Sequence, residues 1–251
     1  MHPVNFVSAV FPEDVRPWEG AALTTVCTSF ENLDGHGHGV KLEAVCMLPS
    51  LALAILNWQD GVDYKFLLTK YRHLNSYILI VRDRDPGRVY PDPTTGKPRI
   101  EYTPSAFDRR HAMVGLLEMA KMLLVTGATE IHPNLPGAIP YIVAADEPRS
   151  INHPRFVTWL SSVEAVGNAP PMSVFACAHQ MGSNRMSATP GAGVVDPNGR
   201  VWESEGLYVV DASVFPSASG VNPMVTNLAI SDITSRKIAA GLRAETASAK
   251  L

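Results

Sequence analysis

The sequence predicts an α+β protein: an antiparallel sheet with helices over the first two-thirds, then a strand, a loop and a final helix. Three observations predict it. Apolar runs of strand length, VKLEAVCML at 40–48 and YILIVR at 77–82, are followed by turn chemistry, and no βαβ repeat is visible. One long stripe, Met113, Leu116, Leu117, Ala120 and Leu124, recurs at helical spacing. After Pro170-Pro171 the texture changes, and Gly, Ser, Asn and Pro become dense from 182 to 223 while short apolar runs persist.

In chain order, residues 1–20 carry Pro3, Pro12 and Pro17 and read as an irregular lead-in. Residues 40–48 read as a strand. Residues 51–57 read as an extension of the same sheet, with Pro49 interrupting the run. Residues 62–74 give a short helix or irregular piece, and 77–82 the clearest buried strand. DRDPGRVYPDPTTGKPRIEY has hairpin chemistry, with turns at Asp-Pro-Gly and Thr-Thr-Gly-Lys-Pro and a return strand at 99–102. A helix runs from Ser105 to Val125, closed by Gly127. In it His111 reads as an ordinary structural or surface histidine, and Met113, Met119 and Met122 as filler. Residues 134–150 are a Pro-rich loop, and 153–166 a helix with Pro154 near its start. Leu207–Val210 reads as a short strand ending in Asp211. The last helix runs from Pro223 to about Ala240, with Asn222 suited to its cap.

The chain has 251 residues, 46% of them apolar, enough for one large or two small domains. A net charge of -3 gives no electrostatic reason to expect nucleic acid. Charged residues are 18%, against about a quarter in typical domains, which fits equally a protein with much internal surface or one that buries a face against another domain. Cys27, Cys46 and Cys177 are too sparse for a disulfide framework or a zinc knuckle. The apolar stretch Leu51–Leu56 is far too short to span a bilayer, and the N-terminus lacks the pattern of a secretory signal.

Three pieces carry residues fit for chemistry: AHQMGSNRM at 178–186, GLYVVDASVFP at 206–216 and SGVNPMVTN at 219–227. His179 sits among small residues, and a neutral imidazole with a pKa of about 6.5 is a competent base. Asp211, at a strand end, needs donors. The helix that starts at Asn222-Pro223 offers free N–H groups to a developing anion. Each has an ordinary alternative: a packed or solvated histidine, a carboxylate satisfying nearby backbone, a helix cap. Ser213 lacks the G-x-S-x-G elbow of a nucleophile. His36 and His38, in a glycine loop, read as solvated rather than as metal ligands. Spacing alone therefore stops at a polar, Gly-rich end region, with ligand binding and ordinary structural roles both open.

The stretch HQMGSNRM, followed by VVDPNGRVWESEGLYVVDASVFPSASGVNPMVTNLAISDITSRKIA, resembles the C-terminal signature of the glucose–methanol–choline (GMC) oxidoreductases, FAD enzymes that oxidise alcohols. RDRDPGRV, GKPRIEYTPSAFD and LLVTGATEI resemble the substrate-domain region of the family's long-chain (fatty) alcohol oxidase branch. The resemblance implies a substrate-binding domain over 21–170, the C-terminal part of an FAD-binding and catalytic domain over 171–242, and a flexible tail over 243–251. It implies that His179 is the catalytic base near flavin N5 and that Asn222 holds the substrate oxygen. Asp211, with Ala212 beside it, would contact the ribityl or pyrophosphate region. Gly220, Asn222, Pro223, Met224 and the helix start would lie against the isoalloxazine ring. Where the common family form reads Gly-Thr-Cys-Arg-Met-Gly, this chain has Gly182-Ser183-Asn184-Arg185-Met186-Ser187.

No G-x-G-x-x-G opens a helix anywhere in the chain. Gly35–Gly39 leads into VKLEAV, a strand where that motif needs a helix N-terminus. The resemblance then implies a C-terminal piece of a larger oxidase whose βαβ part is absent, with FAD bound only beside an N-terminal FAD-binding half. The expected partners are that half and a small-molecule alcohol, with no nucleic acid and no transmembrane segment. The expected chemistry is oxidation of a long-chain primary alcohol to the aldehyde by hydride transfer, with electrons passing to oxygen and little activity in the isolated chain. The alternative is a non-catalytic binding or scaffold module derived from the oxidase fold. The final Ala249-Lys250-Leu251 resembles the S-K-L peroxisomal address, with a cytoplasmic location otherwise.

Overall fold

The computed structural model describes residues 1–21 and 23–248. The chain forms two compact units. One comprises Pro3–Asp85 and Thr103–Ala176; the other comprises Met1–His2, Pro86–Tyr102 and the chain from Cys177 onward.

The first unit is built on a six-stranded antiparallel sheet. In spatial order its strands are β2 (Val26–Cys27), β3 (Val40–Ala44), β4 (Leu74–Val81), β1 (Val4–Val10), β7 (Glu130–Pro133) and β8 (Tyr141–Ile142). Side chains alternate between the faces of a strand. Val7, Ala9, Val40, Leu42, Leu79 and Val81 therefore share one face, and helix α3 (Ala106–Val125) covers it with Leu116, Ala120, Leu123 and Leu124. Ser105 caps that helix: its Oγ accepts the Asp108 N–H at 3.2 Å. Gly115 lets the helix lie close to the sheet, since a Cβ there would meet Val40 at 2.8 Å. Helix α4 (Pro154–Val166) adds Phe156, Trp159 and Val163 to the same core.

On the opposite face Phe6, Val10 and Leu74 meet Met47, with Ala52 and Ile55 from α1 (Pro49–Ile55) and Leu67 from α2 (Gly61–Thr69). Ser8 and Ser76 are directly opposite each other across β1 and β4, both buried, with their Oγ atoms 2.6 Å apart.

Two readings of the sequence are corrected here. Residues 51–57 were expected to extend a strand, but Pro49 stands in the first turn of a helix, where its preset φ and missing N–H suit helix initiation. The irregular lead-in contains β1, which lies inside the sheet; Asn5 and Ser8 interrupt the apolar alternation that would have revealed it.

The second unit contains the hairpin β5 (Arg88–Pro91) and β6 (Pro98–Glu101), joined through the turn after Asp92. The turn chemistry places this hairpin correctly along the chain, yet it groups with the C-terminal segment rather than with the sheet. Most of 177–223 is irregular and leads to helix α5 (Met224–Ser248). Its core is Val195, Val214 and Phe215, with Met186, Val209 and Ile230 packed around them. The strand expected at Leu207–Val210 does not form. Among the described residues a single isolated bridge, Arg200 to Tyr208, reaches it, and Leu207 is 51% exposed. Helix α5 continues past the expected end at Ala240, through the start of the expected tail, to Ser248. The peroxisome-like tripeptide lies outside the described residues. No helix among the described residues is long and apolar enough to cross a membrane.

Candidate active site

Backbone pairing brings the first two chemical segments together. The Gly182 N–H donates to the Ala212 carbonyl (3.1 Å), that of Asn184 to Ser213 (2.8 Å), and that of Met186 to Val214 (2.8 Å). Gly182 is required in this ladder: its φ is +80°, and a Cβ would meet the Phe215 carbonyl at 3.1 Å. Asn184 donates from Nδ2 to Ser213 Oγ at 3.1 Å. Asp211 caps the short 3-10 turn Ala212–Val214, its Oδ1 accepting the Ser213 N–H at 2.8 Å. From the other side, Ser231 on α5 donates its hydroxyl to the Val210 carbonyl.

His179 is half-buried on the segment before Gly182. Its Nδ1 lies 2.8 Å from Nδ1 of His2, with the rings edge-on at 85°. His2 is fully buried, and its Nε2 accepts the Gly220 N–H at 3.0 Å. One imidazole thus joins the histidine segment to the loop that carries Asn222 two residues later and enters α5. Burial lowers the His179 pKa below the ordinary imidazole value, and the charge of the Met1 amino group adds to the shift.

A cavity of about 480 Å³ opens in this unit, between Val89, Ile100 and Tyr102 of the hairpin side and Gln180, Gly182, Asp211, Ala212 and Asn227. Its size is within the usual range for a small-molecule site, ~300–1,000 Å³. Asn227, in the first turn of α5, has a buried Oδ1 with no hydrogen-bond donor. A buried acceptor left in this way favours a ligand donor beside it.

Of the residues singled out in the sequence, His179 and Gly220 are linked through His2, and Asp211 and Ala212 line the cavity. Asn222 is partly buried; Pro223 accepts the Asn227 N–H at 2.7 Å; Met224, which opens α5, is 69% exposed. Sequence reasoning missed His2 and Asn227. A histidine near the start of the chain carries no local signal that it meets residues 179 and 220, and Asn227 reads as an ordinary helical residue. Among the described residues no group of three or more His, Cys, Asp or Glu could hold a metal. His38 pairs instead with Asp34, at 2.8 Å.

Comparison with known proteins agrees with this architecture. The family description "GMC oxidoreductase" matches residues 83–231. The long-chain-alcohol oxidase FAO3 of Arabidopsis thaliana is 33% identical over 95% of this chain and 32% of its own length. The long-chain-alcohol oxidase FAO4B of the same plant is 30% identical over 98% of the chain and 32% of its own length. The chain therefore spans about a third of the length of these relatives. Among solved structures, pyridoxine 4-oxidase from Mesorbium loti superposes with a TM-score of 0.60 at 16% identity, over 94% of this chain and 42% of that one. Formate oxidase superposes with a TM-score of 0.55 at 15% identity, over 96% and 46%. At such identities these two speak for the fold alone. The mixed helix and antiparallel-sheet architecture, the ordered motifs and the extent of the family match lead to one assignment: this chain belongs to the GMC oxidoreductases and carries their C-terminal domain.

Proposed function

We propose that this chain supplies the proton-handling side of a flavin-dependent oxidase that converts a long-chain primary alcohol to its aldehyde and passes the electrons to oxygen. The observation that carries the reading is the link from His179 through His2 to Gly220, which draws the histidine towards the loop bearing Asn222. Nδ1 of His179 is occupied by His2, which leaves Nε2 for the alcohol. In the reaction His179 takes the hydroxyl proton at Nε2. Asn222 donates its amide to the oxygen as negative charge grows there. Holding both groups in place supplies much of the rate, because misplacement is costly.

GMC oxidoreductases are FAD flavoproteins, and the bound flavin supplies the hydride acceptor. The residues present fit part of such a ligand. Asp211 and Ala212 line the cavity, and the unsatisfied Asn227 Oδ1 would accept a hydrogen bond there. The rest of the cofactor's contacts belong to a dinucleotide-binding half, for which this chain has no glycine fingerprint. Exposed apolar residues on α5 support such a partner: Met224, Val225 and Leu228 are 69%, 71% and 63% exposed. The final Ala249-Lys250-Leu251 adds a peroxisomal destination to the proposal, consistent with peroxide as the product of flavin reoxidation.

The test is reconstitution. The chain purified alone is expected to be colourless. Co-produced with the N-terminal half of a long-chain-alcohol oxidase, it is expected to yield yellow protein whose flavin is bleached anaerobically by a long-chain primary alcohol. His179→Ala in that assembly is expected to slow bleaching by about 10²–10⁴-fold. An unchanged bleaching rate in the variant overturns the assignment of His179.

A further inference from the structure

We propose that the first unit carries a binding site of its own for an apolar molecule with an uncharged, hydrogen-bonding head, of which a primary alcohol is the simplest case. The inference goes beyond the role given to His179: it needs neither flavin nor any residue of the second unit.

The site is a cavity of about 280 Å³, just under the ~300–1,000 Å³ usual for small-molecule sites. Its walls come from two segments, 57–70 around α2 and 130–142 around β7 and β8. Ile131 of β7 faces the core under α3, so Glu130 and His132 on either side of it face the other way, towards the cavity. Side-chain bonds tie the two segments together. Gln59 donates from Nε2 to the Ala138 carbonyl at 2.9 Å, and Asn134 donates from Nδ2 to the Ile55 carbonyl at 2.6 Å. The walls are thus fixed by the chain itself.

The floor is polar and balanced in charge. The side chains of Glu130 and His132 are only 13% and 14% exposed. Lys70, the residue after α2, donates from Nζ to Glu130 Oε1 at 2.5 Å, and His132 Nε2 lies 3.0 Å from Oε2. Both carboxylate oxygens are therefore engaged. With a neutral His132 ring, the ammonium and the carboxylate cancel. An anionic head would have to draw Lys70 away from Glu130, and a cationic head would have to displace it. A hydroxyl does neither, because it accepts from one of the remaining ammonium hydrogens and leaves the pair intact.

The rim is apolar. Phe66, Ile139 and Ile142 line the cavity and are 63%, 74% and 48% exposed. A molecule that enters head first therefore lays its hydrocarbon against these three side chains and takes apolar surface on both partners out of water.

The experiment is a titration of the full chain with 1-octanol at pH 8, without flavin, followed by the methyl NMR signals of labelled isoleucine. Ile139 and Ile142 are expected to shift saturably. Octanoate and octylammonium, with the same hydrocarbon and a charged head, are expected to bind at least about tenfold more weakly. Phe66→Asp and Ile139→Asp alter exposed positions and are expected to keep the wild-type unfolding midpoint in urea while each weakens octanol binding by about tenfold or more. Wild type that shows no saturable shift at Ile139 and Ile142 overturns the proposal. So does octanoate binding as tightly as octanol, or octanol affinity unchanged in both folded variants. Binding is read without turnover, so its failure leaves the assignment of His179 standing, and failure of the bleaching test leaves this site standing.

Discussion

Asn184 and Ser213 meet twice: the Asn184 side-chain amide donates to Ser213 Oγ at 3.1 Å, and the Asn184 backbone N–H donates to the Ser213 carbonyl at 2.8 Å. The side-chain bond fastens the His179 segment to the Asp211 turn. Asn184→Ala is expected to cost about 1 kcal/mol in a urea titration, the usual net worth of one such bond. Ser213→Ala is expected to cost a similar amount. The double variant should cost clearly less than the sum, because both changes break the same bond. Strict additivity would show that the two side chains act independently.

Ser8 and Ser76 share one buried hydrogen bond between neighbouring strands. Either single change to alanine leaves a hydroxyl without its partner and is expected to destabilise by about 1–3 kcal/mol. The double change Ser8→Ala with Ser76→Ala removes both polar groups and is expected to be less destabilising than at least one of the singles. Thermal or urea unfolding of the three variants decides it. A double variant weaker than both singles would sink the explanation.

Glu130 accepts from Lys70 Nζ at 2.5 Å, and His132 Nε2 lies 3.0 Å from its other oxygen. The hydrogen bond with His132, then that with Lys70, prevails over burial and lowers the carboxyl pKa to about 2. A carboxylate more acidic when folded than when unfolded stabilises the fold fully above its unfolded value, about 4.3. That contribution is lost as the pH falls from there towards the folded value. Wild type should therefore exceed Glu130→Gln in stability at pH 6, and the gap should narrow between pH 5 and pH 3. A gap that stays constant over that range would disprove the linkage.

What could be read in the sequence follows from where the information lies. Helix α3 announced itself through the Ser105 cap and a stripe of apolar residues, both local signals. Helix α1 was misread because LALAI is apolar without a period, and its one decisive residue, Pro49, serves a strand break and a helix start equally well. Leu207–Val210 has strand composition, but a ladder needs neighbours, and among the described residues only Arg200 bridges to it. In the site, the motif residues His179, Asp211 and Asn222 were visible as short patterns. His2 was not, because its importance comes from tertiary contact with residues at 179 and 220.

Strand β1 has a second consequence, for the order in which the sheet is assembled. It precedes both of its neighbours, β4 and β7, along the chain, so Val10 must wait for Glu130 before its outer edge is satisfied. Until then an apolar strand stands with one side open to unwanted pairing. Deleting it would split the sheet into two ribbons, β2-β3-β4 and β7-β8, with nothing between them. The segment whose sequence looks irregular is the one on which the closure of the first unit depends.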